Sequence, residues 1–337
     1  MATPVKKIFI GGTGRSGTTI LLHALYRHPQ LYAIPFESNF LVAANGLSDL
    51  VDSLTRSYSI SRAGDAVERF DHLMRYALTE RERATGNEFQ MLDVFGEQPY
   101  YRALNQFIDR ITRIAFREEF PPSRLADKLY PSEPVAVMRY LGRYFADREE
   151  LLGICRELVD ALFTLKALEM RKEGWVEKTP ANLTRIAFLQ DLYPDSVFVH
   201  IKRDPRGVVY SQRRQRWAPP GVRDAALYML DTYRWWFDVR AGLDLANRQY
   251  IEVTLDELIA APAATLNRIA SYAGLAPYTP HTVKEVVRAM ESYWHCALDD
   301  PQIDAKLNPW KSELTRDEIA DLNDILGDYI TGMGFPI

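Results

Sequence analysis

A strand, a glycine loop and a helix follow one another within residues 8–25, IFIGGTGRSGTTILLHAL, and no other feature of the chain constrains its fold as strongly. The apolar run Ile8-Phe9-Ile10 reads as a short buried strand. Gly11, Gly12 and Gly14 punctuate a tight loop, and Ile20, Leu21, Leu22, Ala24 and Leu25 open an apolar helix. This order cradles phosphate. Glycines let the backbone come close, successive N–H groups turn inward, and the helix N-terminus adds positive partial charge.

The loop departs at one position from the nucleotide-binding pattern G-x-x-x-x-G-K-[ST]. Gly12 and Gly17 have its spacing, and Thr19 stands where a magnesium-binding hydroxyl would be, but Thr18 occupies the lysine position. The cation is Arg15, three residues earlier. The shifted charge argues against ordinary Mg-ATP chemistry and for another phosphate ester. No metal is expected.

Composition bounds the partners. The 337 residues are 47% hydrophobic and 26% charged, as in a soluble globular chain, and a net charge of −4 does not suggest a general nucleic-acid surface. No apolar run has the length of a membrane span, and the N-terminal run is too short for a signal peptide. Cys155 and Cys296 are isolated from each other, which speaks against a disulfide or metal framework. A cytoplasmic location is the default expectation.

Along the chain, residues 31–34 read as a second strand after His28-Pro29, which puts Glu37 just past a strand end. Ligands of open α/β sheets collect there. Residues 45–172 read as a helical insert or cap within one domain spanning 1–337. Leu104, Phe107, Ile108, Ile111 and Ile114 mark one helical face, and Leu151, Ile154, Cys155, Leu158, Val159, Leu162 and Phe163 another. A proline-punctuated loop, FPPSRLADKLYPSEP, separates them. Strand character returns at 174–177, 197–201 and 250–253. A long aromatic helix runs through Tyr228, Tyr233, Trp235 and Trp236, whose tryptophans read as core. Helices at 255–274, capped by Gly274, and 314–330 close the chain. The alternation predicts an α/β fold with a parallel sheet flanked by helices.

Three strand ends then carry polar clusters: residues 15–19, 177–180 and 202–211. A parallel sheet brings them to one edge. In the third cluster Arg203 leaves a strand and Ser211 follows eight residues on, about two helical turns later. A forked guanidinium and a hydroxyl make a second anion site. His23, His28 and His200 read as structural.

These residues resemble the sulfotransferases that use 3′-phosphoadenosine 5′-phosphosulfate (PAPS), whose fold is P-loop-like. The family's 5′-phosphosulfate loop reads as RSGTT here, and its 3′-phosphate motif as RDPRGVVYS. The order of His28-Pro29, Glu37, Lys178-Thr179-Pro180 and Arg203…Ser211 is similar to the branch containing protein-tyrosine sulfotransferases. Residues 306–309, KLNP, look like that branch's short lysine element, which places Lys306 on the nucleotide. The glutamate comes one residue later than in the tyrosine enzymes, Thr179 replaces their Asp, and the insert is unlike their acceptor region.

The resemblance implies sulfuryl transfer from PAPS to a hydroxyl of a small molecule, glycan or phenol. Glu37 would be the general base, on its position past a strand end and on the family match. Arg15 and Lys178 would neutralise the leaving phosphate. Gly14, Arg15, Ser16, Gly17, Thr18 and Thr19 would hold the 5′-phosphate, and Arg203 and Ser211 the 3′-phosphate. Two rivals stand beside this: a Mg-ATP kinase with Thr19 and Asp204 on the metal, and a non-catalytic nucleotide-binding module, which has no use for Glu37 and Lys178.

Overall fold

The computed structural model describes residues 5–79, 91–120, 135–245 and 249–337. The chain forms two compact units: Met1–Ser38 with Thr164–Ile337, and Asn39–Phe163.

The first unit is built on a five-stranded sheet. Its strands are β1 (Lys6–Gly11), β2 (Leu31–Ala33), β5 (Gly174–Lys178), β6 (Val197–Lys202) and β7 (Tyr250–Thr254), in the order β2-β5-β1-β6-β7. All four neighbouring pairs are parallel. Parallel strands are covered on both faces, so they read as continuous apolar runs, and Ile8, Phe9 and Ile10 have no exposed surface. Alternation sends Ile8, Ile10, Val176, Val199 and Ile201 into one core with the helices Thr18–Tyr26, Pro262–Tyr272 and Pro280–Trp294. Phe9 and Trp175 point the other way and meet edge to face at 5.3 Å.

Register sets which residues reach the sheet's C-terminal edge. Ile10 pairs with Lys178, and Gly11 with His200. The chain leaves β1 toward β2 on one side and β6 toward β7 on the other, which makes the crevice beyond β1 and β6 the switch point of the sheet.

Local signals mark several boundaries, but the stretch expected as one helix over 255–274 is two, Leu255–Ala260 and Pro262–Tyr272, because Ala261 before Pro262 leaves the helical conformation. Thr254 and Glu257 form a capping box where β7 turns into the helix Leu255–Ala260, and Gly274, at φ +63°, follows the helix Pro262–Tyr272. The helix Val222–Ala241 carries Trp235 and Trp236 side by side. Trp236 is fully buried, but Trp235 is 48% exposed, so only one of the pair is core.

The second unit is mostly helical, with Leu47–Leu54, Ile60–His72, Glu97–Ile111 and Arg148–Val159 as its longer helices. It also holds an antiparallel hairpin, β3 (Thr112–Phe120) with β4 (Val135–Gly142), which helical periodicity did not indicate. The face read through Leu104, Phe107, Ile108 and Ile111 is buried, but the helix stops at Ile111, and Ile114 lies exposed on β3. Residues 121–134, most of the proline-punctuated stretch, lie outside the described residues. Among the described residues no helix is long and apolar enough to cross a membrane.

Candidate functional site

The loop after β1 folds tightly under steric compulsion. A Cβ on Gly12 would stand 2.5 Å from Ser16 Oγ and 2.6 Å from the Ile201 carbonyl, so only glycine fits there. Gly17 sits at φ +103° as the N-cap of the helix Thr18–Tyr26, and no side chain caps that helix. Its first turn holds no acidic residue, so the N-terminal dipole faces the crevice uncompensated. Arg15 is itself held at φ 72°, an uncommon conformation for a residue with a Cβ.

Arg15 and the turn after β6 meet here. Arg15 Nε donates to Ser211 Oγ at 3.1 Å, and Arg203 Nη1 donates to the Arg15 carbonyl at 3.2 Å. Arg203 Nη2 also donates to the Leu307 carbonyl. Burial pulls the Arg203 guanidinium below its ordinary pKa; Asp256 opposes this and the Arg15 charge adds to it.

A cavity of about 360 Å³ opens between these elements. Arg15, Gly17, Thr18, Thr19, Arg203, Ser211 and Lys306 all line it, as does Arg214. Among the described residues four cations face the space, and no carboxylate lines it. Lys306 is steadied by donating to the carbonyls of Trp294 at 3.2 Å and His295 at 3.1 Å, beyond the end of a helix.

Of the residues expected at the 5′-phosphate, Gly14 and Ser16 do not line the cavity. Ser16 is fully buried in the loop, with its Oγ unpartnered. Arg206 faces away. Its guanidinium grips Asp204 at 3.0 and 2.7 Å, packs 4.4 Å from the Trp310 ring, and is buried.

Glu37 and Lys178 come together as a pair of their own. Lys178 Nζ donates to Glu37 Oε1 at 2.7 Å; the lysine is buried and the glutamate 43% exposed. Neither lines the cavity. They belong to the same sheet edge, because β1 separates β5 from β6 and Ile10 is the register partner of Lys178. Beside them Glu177 is fully buried, accepting from Ser38, Thr179 and Asn182. Burial pushes its carboxyl pKa up, and those donors pull it back.

Sequence reasoning did not single out Arg214, Tyr210, Tyr293 or Trp294 on the cavity wall. Arg214 carried a signal, standing one turn beyond Ser211 on the same side. Its Nη1 donates to the Tyr210 hydroxyl at 2.6 Å. The two aromatics come from a distant helix and carried none. His28 and His200 are buried, as expected of structural histidines, while His23 lies on an exposed position.

The model of the Sulfotransferase family matches residues 7–280, and the chain belongs to that family. The sulfotransferase domain of the olefin synthase of Synechococcus PCC 7002 is 17% identical, at TM-score 0.47, over 98% of this chain and 96% of that one. The sulfotransferase domain of the curacin biosynthetic pathway is 14% identical, at TM-score 0.48, over the whole of both chains. A sulfotransferase from Mycobacterium avium is 17% identical, at TM-score 0.44, over 99% of this chain and 79% of that one. No curated protein sequence matches at a significant level.

Proposed function

We propose that this sulfotransferase takes PAPS as its donor and moves the sulfuryl group to a hydroxyl of a small-molecule or glycan acceptor. The observation that carries the reading is the cavity beyond β1 and β6, walled by Arg15, Arg203, Arg214 and Lys306, with no carboxylate on its wall among the described residues. Its wall suits a ligand with several negative charges. Arg203, on the cavity wall, has a buried Nε with no partner among the described residues, a polar atom of the kind an anion satisfies.

In this reading the N–H groups of the first turn, with Thr18 and Thr19, hold the 5′-phosphate, and Gly14 and Ser16 shape the loop around it. Arg203 and Ser211 hold the 3′-phosphate, with Lys306 beside them. PAPS supplies an activated sulfuryl group on a phosphate leaving group. The acceptor oxygen bonds to sulfur as the bond from sulfur to the phosphate oxygen breaks, and the acceptor's proton goes to the Glu37 carboxylate. Arg15, on the cavity wall, and Lys178, from the neighbouring strand end, would offset the charge that develops on the leaving phosphate. The bond from Lys178 Nζ to Glu37 Oε1, at 2.7 Å, fixes where the carboxylate of the base stands.

A magnesium-dependent kinase would need Asp204 for its metal. The Asp204 carboxylate is taken up by Arg206 and by the Arg206 backbone N–H at 2.9 Å. The reading is tested by titrating the protein without magnesium with adenosine 3′,5′-bisphosphate and with ATP, then incubating it with sulfur-labelled PAPS and metabolite extracts. Preference for the bisphosphate and a labelled product support it. Equal or tighter binding of ATP refutes the donor assignment.

A further inference from the structure

The Glu177 carboxylate has no exposed surface, and among the described residues no cation pairs with it. Four donors converge on it instead. Oε1 accepts from the Ser38 backbone N–H at 3.3 Å, the Ser38 hydroxyl at 2.9 Å and the Thr179 hydroxyl at 2.7 Å. Oε2 accepts from Asn182 Nδ2 at 2.7 Å, and the same amide donates to the Ile10 carbonyl at 3.0 Å. Burying a carboxylate is expensive, and an apolar residue would fill a strand interior without that penalty.

The segments gathered here are those that carry the proposed chemistry. Ser38 follows Glu37, Thr179 follows Lys178, and Ile10 precedes the glycine loop. Pairing of β2 with β5 ends at Ala33 and Val176, with one further bond from Ile34 N–H to the Val176 carbonyl at 2.9 Å. Beyond it, Ser38 on Glu177 and Glu37 on Lys178 link this stretch to β5.

We propose that Glu177 is a positioning residue: its carboxylate ties Ser38, Thr179 and, through Asn182, the end of β1 together, and so sets where Glu37 and Lys178 stand. The catalytic half of this inference rests on the reading of Glu37 as the base.

The donors suit a carboxyl group and not an amide. Each oxygen has one partner that only donates, the Ser38 N–H on Oε1 and the Asn182 amide on Oε2. A glutamine here would turn its own NH2 toward one of them. Asn182 cannot flip to accommodate it, because its oxygen would then meet the Ile10 carbonyl. Glu177→Gln therefore breaks one tie while leaving the volume of the site and every cavity-lining residue unchanged.

The test uses the full chain with Glu177→Gln, Glu37→Gln and both together. Amide exchange of the segment around Ser38, melting temperature and binding of adenosine 3′,5′-bisphosphate are measured. Turnover of PAPS is followed with a phenol or water as the probe acceptor. Expected are exchange at Ser38 faster by roughly tenfold, bisphosphate binding near parental, and turnover lower by about 10–100-fold. Added to Glu37→Gln, Glu177→Gln should cost less than about threefold more, because the base it positions is already gone. A merely structural role would instead lower the melting temperature and multiply the two losses. If Glu177→Gln does not fold, Ser38→Ala removes one donor to Oε1, keeps the N–H, and should lower turnover several-fold with bisphosphate binding intact. Parental exchange at Ser38, or losses that multiply, overturns the inference. Parental turnover in Glu37→Gln alone overturns the base assignment and the catalytic half with it, while the exchange measurement judges the tether independently.

Discussion

Arg15 Nε donates to Ser211 Oγ at 3.1 Å, joining the loop after β1 to the helix after β6 across 196 positions of sequence. The bond brings the two proposed phosphate sites into one cavity wall, because Arg203 in turn holds the Arg15 carbonyl.

Arg203→Ala and Ser211→Ala should weaken binding through the 3′-phosphate. A hydrogen bond to a charged group is worth about 1.5–3 kcal/mol. Calorimetry should therefore show adenosine 3′,5′-bisphosphate binding weakened by roughly 10–150-fold in Arg203→Ala, with 5′-AMP nearly unaffected. Unchanged discrimination between the two ligands would refute the assignment.

Glu37→Gln keeps the size of the side chain and an acceptor for the Lys178 ammonium, which lies 2.7 Å from Oε1. It cannot take up a proton. Turnover should fall by about 10²–10⁴-fold, with kcat and kcat/KM falling together and bisphosphate affinity retained. An acceptor with a more acidic hydroxyl should partly rescue this variant, and rescue Lys178→Ala much less.

Two glycines of one loop should respond oppositely to alanine. At Gly12 the new Cβ would lie 2.5 Å from Ser16 Oγ and 2.6 Å from the Ile201 carbonyl, whereas at Gly14 the nearest atom, Gln212 Oε1, is 3.8 Å away. Gly12→Ala should lower stability by about 1–3 kcal/mol and abolish bisphosphate binding. Gly14→Ala should melt and bind near the parental values. Thermal melts and titrations of the pair check this.

Acid should destabilise the fold through its histidines. His28 is fully buried, with Nε2 2.8 Å from the Ala276 carbonyl and Nδ1 accepting from the Gln30 N–H at 3.2 Å. These partners require the neutral ring with its proton on Nε2. Burial lowers its pKa below the ordinary 6.5; the Ala276 carbonyl and Glu173 oppose this, and Lys172 adds to it. Burial also lowers His200, against the pull of Glu252. The unfolded chain takes up protons near pH 6.5 that the folded chain refuses. This stability is present above 6.5 and is lost as pH falls toward the folded values. Glu177, with its pKa raised, acts in the opposite sense on acidification. Melting temperature should be level from pH 8 to 7 and decline below about 6.5. In a His28→Gln variant that decline should be shallower. An unchanged slope would refute the role of His28.

Much of this was legible locally. The strand, glycine loop and helix of residues 8–25 declared themselves, since apolar runs, glycine and helical spacing act within a few residues. The helix carrying Ser211 was legible for the same reason. The hairpin β3–β4 was not, because Ile114 continues the helical spacing of Leu104 to Ile111 by accident and lies exposed on a strand. Trp235 and Trp236 differ by one position, so which of them meets His200, 5.0 Å from the Trp236 ring, depends on how the helix rolls onto the sheet.

Residue types and short-range spacing alone thus settled that the chain makes a parallel sheet with a glycine-rich turn after its first strand, and named most of the cations that line the cavity. Tertiary structure alone decided the partnerships. The order β2-β5-β1-β6-β7 brings Arg15 to Ser211, Lys178 to Glu37 and Glu177 to Ser38. Each pair joins segments more than a hundred residues apart, and its energy exists only once strand order and register put both members on one edge. Local propensity carries no record of that order. A buried carboxylate such as Glu177 therefore looks in sequence like any polar residue at the end of a strand.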